Sequence, residues 1–116
     1  MIATALVAAG VTAPVAVALT TAPKWPDAQL IRHIESKIIM PGGAKPLGQY
    51  LRVYAPSIGP AGKLVEGRFE TSKAPGVKVV SPGQLPLVMD GGCSFVDLTY
   101  DVARDRIVRI ACHGYA

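Results

Sequence analysis

Cys93, Cys112, His33 and His113 are the side chains whose types suit redox, nucleophilic or metal chemistry, and their spacing decides which is open. The cysteines flank a recognisable β-hairpin. Ser94 to Tyr100 is rich in β-formers, Asp101 to Asp105 reads as a turn, and Arg106 to Ala111 runs back. Cys93 and Cys112 lie almost equidistant from that turn, so folding brings them together as a disulfide. A loop over 101–104 sets them directly opposite, and a loop over 102–105 leaves them diagonal on one face. A one-residue slip between these registers forbids the bond. His113 follows Cys112 directly, and neighbours on a strand point to opposite faces, so the two form no nucleophile pair. The cysteines and histidines also lack the close paired spacing of a zinc framework. Asp90-Gly91-Gly92 lacks the alternating oxygens of a calcium loop, and the glycine pairs match no dinucleotide or phosphate loop. No catalytic residue, cofactor or metal is therefore expected.

Two polar sets remain. Glu66 and Glu70 share a strand face with Arg68 between them, but acid–base work by such a pair needs a cleft that the sequence does not show. Tyr50, Arg52 and Tyr54 share one face of another strand. If Leu51, Val53 and Ala55 pack inward, a Tyr-Arg-Tyr stripe is left exposed, the composition that protein interfaces favour. If the tyrosines are the packed face, Arg52 lies at an edge. Both readings stand on the sequence alone.

The elements that position these residues are few. After Trp25-Pro26, Asp27 suits a helix N-cap, and Leu30, Ile31, Ile34 and Ile38 recur at helical spacing. His33 falls on the opposite, polar face as a solvated residue beside Lys37, and Pro41-Gly42-Gly43 stops the helix. Residues 49–55 alternate as a strand that ends at Pro56, residues 57–62 form a turn-rich connector, and residues 63–70 form a second strand. Residues 77–80 suit at most a short edge strand, since Pro82 and Pro86 exclude a central one there. The expectation is an α+β domain: one amphipathic helix on a four-stranded antiparallel sheet, the arrangement of cystatin-like domains by architectural analogy. No cystatin binding motif is present.

Met1 to Ala22 carries no charged side chain and ends in the small-residue runs Ala16-Val17-Ala18 and Thr20-Thr21-Ala22. It reads as a signal peptide cleaved after Ala18 or Ala22, leaving residues 23–116 as one small domain. The alternatives are an apolar membrane anchor, since about 20 apolar residues can span a bilayer, or a buried part of the fold. A small exported domain with one disulfide would be periplasmic or secreted, where such a bond persists. The net charge of +4 comes from bases scattered along the chain, with no interleaved aromatics, so no nucleic-acid partner is expected.

The series of leader, Trp25-Pro26, helix, Pro41-Gly42-Gly43-Ala44, tyrosine-bearing strand, Gly91-Gly92-Cys93 and terminal Cys112 resembles short exported bacterial proteins of uncharacterised function. That resemblance implies no activity. The functional expectation is a non-catalytic domain that binds a protein or envelope component through its open sheet face. Two alternatives stand beside it: a small periplasmic hydrolase using an acidic pair or His113, and a membrane-tethered envelope protein if the leader is retained.

Overall fold

In the computed structural model, which describes residues 25–88 and 90–114, one helix lies on one mixed sheet. Helix α1 spans Ala28–Lys37. The strands are β1 (Tyr50–Gly59), β2 (Gly62–Thr71), β3 (Gly76–Val79), β4 (Phe95–Asp101) and β5 (Arg106–Cys112), in the spatial order β3-β1-β2-β4-β5. The leader, residues 1–22, lies outside the described residues. No described helix is long and apolar enough to cross a membrane.

The expected four-stranded antiparallel sheet is corrected on two points. The sheet has five strands, and β3 pairs with β1 in parallel, Leu51 opposite Gly76 through Tyr54 opposite Val79. The stretch expected to be at most an edge piece is thus a true edge strand whose direction the local sequence did not reveal. The first strand also does not end at Pro56. It continues to Gly59, and β2 starts at Gly62, so Pro60-Ala61 alone makes the turn. Pro56 is tolerated within the strand because β3 has already ended: the Val80 amide donates to the Tyr54 carbonyl at 2.8 Å, and beyond it no neighbour requires an amide from that side of β1.

Helix α1 forms where its pattern dictated. The Asp27 carboxylate accepts from the Leu30 amide at 2.8 Å, and Ile31 and Ile34 are buried against the sheet. They meet Tyr50, Tyr54, Val65, Phe69, Val96, Leu98 and Tyr100, all on the same side of β1, β2 and β4, in one continuous core. Gly67 makes room for those aromatics. A Cβ at that position would stand 3.0 Å from the Phe69 ring and 3.3 Å from the Tyr54 ring.

The opposite side of the sheet is covered in part by the chain itself. β3 and β4 run in the same direction on either side of the β1–β2 pair, so the connection over 80–94 must cross both strands. It crosses away from α1: Pro86 and Val88 meet Arg68, Glu70, Phe95 and Asp97. Beneath this strap Val53 and Ala55, which face away from the helix, are 5% and 0% exposed. β1 is therefore buried on both faces at its centre.

The β4–β5 turn occupies residues 102–105, with Tyr100 opposite Ile107. Val108 is then an extra residue on β5, a bulge that shifts the register so that Cys112 lies opposite Val96. Cys93 reaches Cys112 from the short helical turn Gly92–Ser94 that precedes β4, with Cα atoms 4.5 Å apart in a disulfide. The cysteines are 19 positions apart, and closing a loop of that size stabilises a chain by about 3 kcal/mol in the loop-entropy account. Replacing both cysteines by Ser is expected to lower unfolding free energy by roughly 2–4 kcal/mol, read from denaturant midpoints. Thiol titration of the unfolded, unreduced parent should find no free sulfhydryl.

Candidate functional site

Three polar clusters and one apolar groove hold the side chains that could act. The first cluster lies between helix and sheet. Glu35 accepts two hydrogen bonds from Arg52, Nε to Oε2 and Nη2 to Oε1, both at 3.0 Å, and a third from the Tyr54 hydroxyl at 2.7 Å. A planar guanidinium matched to a carboxylate in this way is the strongest form of the pair. Burial, then the bond to Glu35, pushes the Tyr54 phenol far above its ordinary value. The Glu35 bond likewise raises Arg52, against the opposing effect of burial. Tyr50 and Tyr54 are fully buried, and Arg52 is turned under the helix. An exposed Tyr-Arg-Tyr stripe is therefore not what β1 offers. The tyrosines are the packed face, and the helix that covers them also supplies the partner of Arg52.

The second cluster joins the helix to the β4–β5 turn. Asp105, at φ 51°, holds the left-handed conformation that closes the turn. Its carboxylate accepts from the Tyr100 hydroxyl, lies 2.7 Å from His33 Nε2 and faces the Lys37 ammonium at 3.6 Å. His33 is solvated on the polar helix face, as expected, and is in addition tied to the turn. Asp101, the last residue of β4, accepts from the Arg104 side chain at 2.8 Å and from its amide at 3.1 Å.

The third cluster lies on the sheet face away from α1. Asp97 of β4 is 8% exposed. Its Oδ2 is 2.8 Å from His113 Nδ1, and its Oδ1 is 3.4 Å from Arg68 Nε without a hydrogen bond. His113 is held by its own backbone, whose amide donates to the Phe95 carbonyl at 2.8 Å. The cleft above Asp97, under Pro86 and Val88, has room for about one water molecule. Next along the face, the Thr99 hydroxyl donates to Glu66 at 2.9 Å, and Arg109 stands opposite Thr99 on β5. Glu66 and Glu70 do share this face with Arg68, but the arginine turns to Asp97. Among the described residues, no three His, Cys, Asp or Glu side chains gather as a metal site.

The groove lies beside the β1–β2 turn and is lined by Trp25, Pro56, Ser57, Ile58, Lys63 and Pro82. The Lys63 ammonium stands 5.4 Å from the Trp25 ring centre, a cation–π contact.

The sequence had singled out His113 but not its partner. Asp97 becomes visible only when the β4–β5 register is known, bulge included, because then residues 95, 97 and 113 share a face. Compared with known proteins, the chain matches no family model, no curated protein and no solved structure.

The second cluster sets how stability changes with pH. The bonds from Tyr100 and then His33 hold the Asp105 carboxyl below the ordinary range, as those from Arg104 do for Asp101. The unfolded chain therefore takes up these protons first as pH falls. The stability these two carboxylates contribute is full above about 4 and is lost below it, toward the lower folded values. At the other end, burial and then the bond to Asp105 push Tyr100 up to about 12. The stability it contributes is intact below about 10, the ordinary phenol value, and is lost as pH rises from there through its folded value. Denaturant midpoints measured across both ranges should show Asp105→Asn flattening the acid decline and Tyr100→Phe reducing the alkaline one. Tyr54, shifted further, keeps part of the alkaline decline in the second variant.

Proposed function

We propose that this chain is a small exported, non-catalytic domain that binds a protein or another envelope component through the part of the β2, β4 and β5 sheet face that neither α1 nor the strap covers. The observation that carries the reading is the state of the side chains there. Glu66 and Thr99 fix one another on β2 and β4, and where the strap crosses the face Asp97 of β4 holds His113, which follows β5, and faces Arg68 of β2. Polar groups held in place on a rigid sheet lose little freedom when a partner arrives, which is what makes a polar surface recognise selectively. Arg106 and Arg109, exposed on β5 and without an ion pair among the described residues, offer unspent charge at its margin. The disulfide supports the exported part of the reading, since such a bond lasts in oxidising compartments.

The test is capture of envelope components on the immobilised protein, in parallel with an Arg106→Glu/Arg109→Glu variant of equal thermal stability. Retention should fall roughly tenfold in the variant, about 1.4 kcal/mol. Equal retention on both proteins places the binding elsewhere.

The hydrolase alternative is favoured by one observation, the 2.8 Å contact between Asp97 Oδ2 and His113 Nδ1. A carboxylate on Nδ1 orients an imidazole so that Nε2 can take a proton from water. If that reading holds, hydrolysis of an ester panel by the parent is abolished by His113→Ala and strongly reduced by Asp97→Asn. A parent that hydrolyses nothing above the variants leaves the dyad as a tie between β4 and β5.

A further inference from the structure

We infer that the groove beside the β1–β2 turn is a lipid-facing surface, by which the domain lies on an anionic bilayer while the leader is attached. The proposal concerns a different part of the molecule from the sheet face and does not rest on it. Three observations converge at this end. The first is composition. Trp25, Pro56, Ile58 and Pro82 line the groove, and Ile58, at the tip of the hairpin, is 76% exposed. The apolar side chains are gathered at one end of the molecule rather than scattered singly, and Ile58 leads them into water. The second is continuity. Met1 to Ala22 has no charged residue, and the chain enters the described fold at Trp25, which itself lines the groove. A leader held in lipid, the anchor reading of that stretch, brings this end of the domain with it. The third is charge and residue type. Lys24 precedes Trp25 in the sequence, and Lys63 stands over the indole. Tryptophan flanked by lysine suits the headgroup layer, where the ring is half solvated and the ammonium meets lipid phosphate. The Asp27 carboxylate that caps α1 keeps its charge, but the two ammoniums of Lys24 and Lys63 outnumber it at this end.

The leader by itself would carry Trp25 to the bilayer surface, so Trp25 alone cannot decide the matter. Ile58 can. It is remote from the leader in sequence and reaches lipid only if the domain lies down on this face. Trp25 is the only tryptophan of the chain, so the indole can be moved. The experiment uses the full-length chain as parent, as Trp25→Phe/Ile58→Trp and as Trp25→Phe/Lys73→Trp, with vesicles of phosphatidylglycerol brominated in the acyl chains. Lys73 lies beyond the far end of β2, roughly 30 Å from the hairpin tip at about 3.3 Å per residue. The expected result is strong bromine quenching and a blue-shifted emission for the indole at 25 and at 58, with neither for the indole at 73. Vesicle-bound protein in which only the indole at 25 is quenched overturns the proposal, because the leader alone then makes the contact. Equal quenching at 58 and 73, or no binding of the full chain, overturns it as well.

Discussion

Three phenol hydroxyls lie at the core of this domain, and a buried hydroxyl must find a hydrogen-bond partner or cost as much as several good contacts return. Tyr50, Tyr54 and Tyr100 are at most 2% exposed. Each solves the problem by reaching through the apolar layer to a different part of the periphery. The Tyr50 hydroxyl donates to the Cys93 carbonyl at 2.7 Å and accepts from the Lys45 amide at 3.1 Å. The Tyr54 hydroxyl donates to Glu35 of the helix, and that of Tyr100 to Asp105 of the last turn. The disulfide end, the helix and the β4–β5 turn are thus each located by one tyrosine. His33 and Lys37 close the circuit from helix to turn. The core does more than exclude water: it fixes where the loops sit.

Local features of the chain were legible in proportion to how locally they are decided. The N-cap at Asp27, the Ile31/Ile34 stripe, the C-terminal hairpin and the meeting of Cys93 with Cys112 depend on residues close in sequence or on a single turn. β3 does not. Its partner in β1 lies some 25 positions away and runs in the same direction, and nothing within Gly76-Val77-Lys78-Val79 encodes either fact. The face of β1 was ambiguous for a related reason. Alternation assigns a strand when one side is wet, whereas here α1 covers Tyr50 and Tyr54 while the strap covers Val53 and Ala55. Of the polar clusters, His113 could be picked out by residue type. Asp97 could not, because Val108 moves the register by one residue in a way that no propensity predicts.

Both borders of the sheet are made poor templates for further strands. β3 is four residues long, carries Lys78 and is preceded by Pro75. β5 has its bulge at Val108 and bears Arg106 and Arg109. Short length, fixed charge and a local kink are the means by which open sheets avoid pairing with their own copies. Recognition by added strands is disfavoured by this design, which leaves the faces and the hairpin end as the surfaces on offer.

The strap over 80–94 has a consequence for how the chain is partitioned. The disulfide joins Cys93, at the end of the strap, to Cys112, and the helix, the β1–β2 hairpin and β3 all precede the strap. Leu87, in the middle of the strap, is 94% exposed. A single protease nick there would release no covalent constraint of either half. The products would be a helix-bearing three-stranded piece and a cross-linked hairpin, joined by the β2–β4 ladder and the shared tyrosine core. At Leu87 the chain therefore divides into two parts that share one core and one ladder and have no covalent cross-link between them.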